Sequence, residues 1–390
     1  MTGDSTRATR AGLPEAVPYE PVLPGPVFAA HYHLPGDPAE APYAYGRDAN
    51  PTWTALERAL SELEAPPEEP AWADVAPEQR PQTVVFASGM GAISAVLESQ
   101  LGPGDVAVLP SDGYNLLAAL GDHLTALGVE VRLAPTAGGR QLELLDGAKL
   151  LWLETPCNPG LDVCDIRALA AAAHERGALV VVDNTLATPL GQRPLELGAD
   201  ISVASGTKAL TGHGDLLLGY ATCRGAEVAE AVRRRRKLAG AIPGPLTAWL
   251  AHRSLATLAL RTARQAEGAL AVARALRDRP EVSDLRHPGL PEDPSHRLAA
   301  AQMRGGRFGC VVSFVLPDRA FAERFLAALR LVEQATSFGG VRSTAERRGR
   351  WGGDAVPEGF VRLSVGVEDP PDLVADLEQA LDRAAADAAG

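Results

Sequence analysis

Lysine is scarce in this 390-residue chain. Only three of its 37 Lys and Arg residues are lysines, Lys149, Lys208 and Lys237, so chemistry that needs a neutral amine has three places to occur. Cysteine is scarce too. Cys157, Cys164, Cys223 and Cys310 are scattered, with no C-x-x-C pair and no histidine at zinc spacing, which argues against a metal site. No run of 18 or more apolar residues occurs, which excludes a membrane-spanning helix, and the polar stretch Met1–Gly12 lacks the apolar core of a signal peptide. Reduced thiols and a cytoplasmic location are the expectation. Positive charge is in deficit, at a formal net charge of −12, which argues against a general nucleic-acid binder. What is present is length enough for one large or two modest domains, each able to bury a core.

Residues 13–51 hold nine prolines and few periodic apolar positions, which predicts an arm running extended over another surface. Thr54–Glu64 has helical spacing, and the Pro/Glu-rich stretch Ala65–Pro81 reads as an exposed loop. From Thr83 short apolar runs alternate with helical segments. The runs are Thr83–Ala87, Val106–Leu109, Val129–Leu133, Leu150–Leu153, Ala178–Val182 and Ile201–Ala204. Such alternation indicates an α/β fold with a mainly parallel sheet covered on both faces. A second region begins near Pro245 with one long helix to about Leu276. It continues through strands at Cys310–Leu316 and Phe360–Val365, with helices at Arg319–Leu331 and from Asp372.

In parallel sheets ligands bind beyond the carboxyl ends of the strands, so the residues that follow each run carry the chemical reading. Ser88-Gly89-Met90 opens a helix, where glycine lets a phosphate approach free N–H groups at the positive helix end. The pattern Gly89-x-Gly91-x-x-Ser94 is close to a dinucleotide fingerprint. However, its third position is serine, and no acid-tipped strand follows at the right distance. Asp183-Asn184-Thr185 places a carboxylate at an apolar strand mouth; it serves either as a turn cap or as the partner of a cationic ring nitrogen. Ser205-Gly206-Thr207-Lys208 puts one of the three lysines behind two hydroxyls. Lys149 merely opens a strand, and Lys237 ends a solvated basic helix face. If any lysine reacts with an aldehyde it is Lys208. Phosphate donors, a carboxylate and a lysine are the inventory that pyridoxal phosphate (PLP) needs.

With these strings in order, the chain resembles the Cys/Met-metabolism family of PLP enzymes. Further matching strings are Tyr45-Gly46-Arg47 with Asn50-Pro51-Thr52, Glu154-Thr155-Pro156-Cys157-Asn158-Pro159, Pro194–Ile201, Gly212-His213 and Arg362–Gly366. The resemblance implies an aspartate-aminotransferase-like (fold type I) architecture. Residues 1–55 would be an extended arm touching a neighbouring subunit, 56–250 the PLP-binding domain and 251–390 a smaller C-terminal α/β domain. It implies that Lys208 bonds the cofactor and that Asp183 keeps its ring nitrogen protonated. Gly89, Met90, Ser205 and Thr207 would hold the phosphate, and Tyr45 and Arg47 would reach the phosphate of the neighbouring subunit's cofactor. Tyr114 would stack on the ring and move protons, and Asn158 would bond the ring oxygen. Arg362 and Ser337 would receive the substrate carboxylate. A homotetramer of dimers with shared sites follows from the same likeness.

Three departures bear on the substrate. Tyr114 is followed by Asn115-Leu116, where methionine γ-lyases carry a cysteine. Arg342 replaces the family's usual glutamate. An arginine facing the pocket would favour a distal carboxylate, whereas one facing solvent would mean nothing. Arg347–Asp354 (RRGRWGGD) is unlike the usual helix-rich stretch and could reshape the entrance. The expected activity is γ-elimination of cystathionine to cysteine, 2-oxobutanoate and ammonia, with γ-replacement on an O-acylhomoserine as the alternative. A nicotinamide-dependent dehydrogenase and a non-catalytic scaffold are the distant readings.

Overall fold

The computed structural model describes residues 2–389. The large sheet has seven five-residue strands: β1 (Gln82–Phe86), β2 (Val106–Pro110), β3 (Glu130–Ala134), β4 (Leu150–Glu154), β5 (Leu179–Asp183), β6 (Ile201–Ser205) and β7 (Gly219–Cys223). Their spatial order is β1-β7-β6-β5-β4-β2-β3. All run in one direction except β7, which pairs antiparallel with β1 and β6. The continuous apolar runs are explained by burial on both faces. Val181 packs with Trp152 and Ile93 on one side, while Val180 and Val182 pack with Leu151 and Ile166 on the other.

Strand β7 was not anticipated from the sequence. Its first residue must be bare, because a Cβ at Gly219 would lie 2.1 Å from the Ser88 carbonyl oxygen, so GYATC does not read as an apolar run.

The second sheet is formed by β8 (Ser283–Arg286), β9 (Val311–Val315), β10 (Glu333–Gln334), β11 (Thr344–Arg347) and β12 (Phe360–Ser364), in the order β10-β11-β12-β9-β8. Val312, Phe314 and Leu363 pack there against Phe325 and Leu377 of helices Arg319–Ala328 and Pro370–Ala389. The expected strands correspond to β9 and β12. Strands β8, β10 and β11 are short and partly polar, which hid them.

Other parts of the chain depart from the expected pattern. The helix expected from Leu246 to Leu276 is two, Pro245–Leu255 and Leu258–Arg277. Arg261 explains the break: its guanidinium takes the Ser254 carbonyl at 3.0 Å, which a continuous helix would have used, and also ties down Ala209 O at 2.7 Å. The boundary expected at 250/251 falls inside the first of these helices. The stretch Ala65–Pro81 is not wholly exposed, since Trp72 is buried against Ala65 and Leu195 with the Arg224 guanidinium 5.0 Å above its ring. The N-terminal segment begins with a short helix, Asp4–Arg10. Its irregular part then reaches the helix Pro51–Glu64, capped by the Asn50 side chain on Thr52 N–H at 2.9 Å.

Candidate active site

Strands β1, β4, β5 and β6 end at the same edge of the large sheet, and the small domain closes over that edge. Between them lies a cavity of about 260 Å³. Ten of the thirteen sequence-predicted site residues line it: Gly89, Met90, Tyr114, Asn158, Asp183, Ser205, Thr207, Lys208, Ser337 and Arg362. This fold brings together groups that are up to 273 positions apart along the chain, from Gly89 to Arg362.

One end of the cavity is a helix N-terminus. Helix Gly89–Gln100 is capped by Ser88, whose Oγ accepts the Gly91 N–H at 3.1 Å, and the N–H groups of Gly89 and Met90 have no acceptor among the described residues. Gly89 is pressed against Ser205, where a Cβ would approach Ser205 Cβ to 2.8 Å. Of the two expected hydroxyls, that of Thr207 is engaged with Leu218, accepting its N–H at 3.0 Å and donating to its carbonyl at 3.2 Å. Ser205 Oγ has no partner among the described residues. The Ser205 N–H is held by Thr185 Oγ1 at 2.8 Å, so Thr185, which the sequence reading passed over, shapes this end.

Asp183 ends β5 and is buried. Its Oδ1 accepts the Thr185 N–H at 2.9 Å, and it has no ion pair among the described residues. A local turn bond is therefore present, and the carboxylate faces no cation among the described residues. Burial raises its carboxyl above the usual range. Glu154 stands beside it, paired with it in register at the end of β4. Burial first, and the Asp183 charge second, push Glu154 up to about 8. Two adjacent buried acids cannot both ionise cheaply, so the two carboxyls titrate as a pair, each raised. An acid at the mouth of an apolar strand was the signal used for Asp183, and LLWLE carries the same signal for Glu154.

Lys208 donates to Ser337 Oγ at 2.8 Å and has no carboxylate partner among the described residues; its Nζ lies 5.1 Å from the Phe338 ring centroid. Burial, then the like charge of Arg362, with Glu346 opposing, pull its ammonium down to about 8. Ser337 has φ of 79°, the left-handed region that a non-glycine residue seldom adopts. Its conformation is held because its carbonyl accepts from Arg362 Nη2 at 3.1 Å. Tyr114 forms a wall, and burial lifts its phenol above the ordinary value while the Arg348 charge opposes.

Arg362, on β12, donates from Nη1 to Asn158 Oδ1 at 2.6 Å and from Nη2 to Glu346. Burial, then the Arg348 charge, lower it to about 10, so it stays cationic at neutral pH. Glu346 is nearly inaccessible and also accepts from Arg348 at 2.9 Å, Trp351 Nε1 at 2.8 Å, Arg350 at 3.1 Å and Thr336 at 3.1 Å. Arg348 itself lines the cavity. The unusual RRGRWGGD stretch is thus wrapped around the acid that holds Arg362. It also meets the other departure: a Cβ at Gly353 would sit 2.8 Å from Asn115 Nδ2, beside Tyr114. Glu346 had no sequence signal and Arg348 only that of the unusual stretch it belongs to, because their meeting depends on a loop with no periodic pattern.

Three predicted residues lie outside the cavity. Arg342 is exposed and lines an adjoining cleft of about 560 Å³, which shares Thr207, Leu217, Thr336, Ser337 and Phe338 with the cavity. Tyr45 and Arg47 line a different cleft with Phe28 and Ile242, the Arg47 guanidinium 5.2 Å from the Tyr45 ring centroid.

Residues 27–382 match the sequence pattern of the Cys/Met metabolism PLP-dependent enzymes. The chain belongs to that family. A Streptomyces coelicolor protein provisionally named a cystathionine gamma-lyase is 70% identical over 97% of this chain and 94% of its own. A cystathionine gamma-synthase of Mycobacterium bovis is 39% identical over 98% and 97%. The solved structure of a methionine gamma lyase from Micromonospora echinospora superposes with TM-score 0.88 at 38% identity, covering 97% of this chain and 99% of the other. The fold is that of the type I PLP enzymes, and the cofactor of this family member is PLP.

The cavity suits that cofactor. PLP offers an anionic phosphate, a ring nitrogen that is cationic when protonated, and an aldehyde. Free N–H groups at a helix start, a buried carboxylate lacking a cation and an amine lacking a carboxylate stand ready for those three poles. No helix among the described residues is long and apolar enough to cross a membrane.

Proposed function

We propose that this PLP enzyme is a C–S lyase of sulfur amino-acid metabolism, cleaving cystathionine and water to cysteine, 2-oxobutanoate and ammonia. The observation that carries the substrate choice is Arg342. Its guanidinium has no ion pair among the described residues, and it lines the cleft that continues from the cavity past Thr336, Ser337 and Phe338. An amino acid whose α-carboxylate is received by Arg362 and Ser337 would extend its side chain along that path, and a distal carboxylate would end at an arginine. Leu116 is 45% exposed and does not line the cavity, so the methionine-lyase cysteine has no counterpart facing the reaction.

Bound PLP supplies an electron sink for a carbanion at the substrate's Cα. Lys208 would hold the cofactor's aldehyde carbon and, once displaced by the substrate amine, take and return the Cα proton. Asp183 would keep the ring nitrogen protonated. The N–H groups of Gly89 and Met90, with Ser205 and Thr207, would bind the phosphate. Tyr114 would cover the ring and move a proton, and Asn158 would bond the ring oxygen. Tyr45 and Arg47, in a separate cleft of their own chain, would complete a neighbour's phosphate site. Exposed apolar side chains along that segment, Val22 and Phe28 among them, favour a dimer with shared sites, and pairs of dimers would give the tetramer. A cytoplasmic location belongs to the same reading.

Holoenzyme given cystathionine is expected to release 2-oxobutanoate, cysteine and ammonia in equal amounts. Rapid thioether formation from an O-acylhomoserine and cysteine, with no keto acid from cystathionine, would make it a γ-synthase instead, the activity its Mycobacterium bovis relative is named for.

The lowered Lys208 amine gives a pH prediction for the cofactor-free protein. Only the neutral amine attacks an aldehyde, so capture of added PLP is expected to accelerate as pH rises, to be half-maximal near pH 8 and to level off above it. An unshifted lysine would reach its half-maximal rate only at about pH 10.4. A stopped-flow absorbance series between pH 6.5 and 10 that never levels off below 10 would contradict this.

A further inference from the structure

We infer that Glu154 is a positioning residue of this site, holding the backbones of Tyr114 and Asn158 in place through its two carboxyl oxygens. This rests on reading the cavity as the PLP site. Oε2 accepts the Tyr114 N–H at 2.7 Å and Oε1 the Asn158 N–H at 2.8 Å. The approach is close, because a Cβ at Gly113 would lie 2.6 Å from Oε2 and would push the carboxyl aside.

Tyr114 begins a helix, Asn115–Ala126, with no side-chain cap of its own, so its place depends on the bond to its N–H. Asn158 passes the restraint on, because its side-chain oxygen accepts from Arg362. One acid at the tip of β4 thereby ties the ring-covering wall, the ring-oxygen residue and the substrate arginine to the sheet that presents Asp183. A side chain that only filled space at this position would not need both oxygens satisfied by residues of the same cavity. Precision of this kind in the supporting shell decides how well a site holds its ligand.

Glu154→Gln keeps the shape but offers one acceptor oxygen instead of two. In the holoenzyme the visible circular dichroism of bound PLP is expected to change in intensity, and the PLP dissociation constant to rise roughly tenfold. The cofactor-free variant is expected to keep a thermal midpoint close to the parent's. Unchanged dichroism and dissociation constant, with only the midpoint lowered, would overturn the inference and leave Glu154 a buried acid of the core. Should the variant fail to fold, hydrogen exchange on the unmodified cofactor-free chain decides. The Tyr114 and Asn158 amides are expected to be protected like those of β4, and fast exchange at both would overturn the inference. None of these readouts involves turnover, so failure of the cystathionine reading would leave this test intact.

Discussion

Lys208→Ala is expected to abolish covalent capture of PLP and to lower turnover by about 10²–10⁴-fold from loss of the proton-moving amine alone. The scarcity of lysine makes the assignment unusually easy to check. Lys149 pairs with Asp105 at 2.7 Å and Lys237 with Asp48 at 3.0 Å, and both are about half exposed. Neither lines the cavity, and each has a carboxylate partner. Lys208 has neither a carboxylate nor full solvent, which is the condition for a reactive amine. Borohydride reduction of the holoenzyme should therefore place the cofactor on the peptide containing Lys208, and reduction of the variant should place it nowhere. An adduct on Lys149 or Lys237 would refute the site as described. The variant should fold, since removing a buried cation that lacks a counter-ion relieves a desolvation penalty.

Arg362→Lys is expected to raise KM for the amino-acid substrate by roughly 10–10²-fold, with a smaller change in kcat, because one charge-assisted bond of a two-point clamp is lost. Lysine retains the charge but not the planar fork, so the comparison isolates geometry from electrostatics. Removing one partner of a buried ion pair usually costs about 3–5 kcal/mol. Here Glu346 would still accept from Arg348, Arg350, Trp351 and Thr336, so even Arg362→Ala should fold and bind PLP. Steady-state kinetics with bound-cofactor absorbance as a control separate the two effects. A KM within threefold of the parent's would remove Arg362 from the substrate site. Loss of the cofactor alone would move it to the PLP-binding set.

Most of the cofactor side of this site was legible in the chain, and the reason is architectural. Parallel strands deliver their last residues to one edge, so Asp183, Ser205 and Lys208 follow runs that can be recognised one at a time. Glu154 carried the same signal at the end of LLWLE and was passed over as a site residue. Where local pattern was absent, reading failed. Strand β7 begins with a glycine that must be bare. Strands β8 and β10 are short and polar, and the break at Ala256–Thr257 is made by Arg261, a side chain reaching backward.

Alternating apolar runs and helices, with the family's motif strings, were enough to determine the fold class and the cofactor, and Asp183, Lys208 and the glycine at the start of a helix pointed to the site. These depend on residue type and on neighbours in sequence. The tertiary structure alone decided that Arg348 enters the cavity while Arg342 lines the cleft beyond it. It also decided that RRGRWGGD wraps the acid behind Arg362, and that Glu154 holds two walls of the site at once. Such contacts join residues up to some 200 positions apart, as from Asn158 to Arg362. No local preference encodes them; they exist only once both sheets have packed.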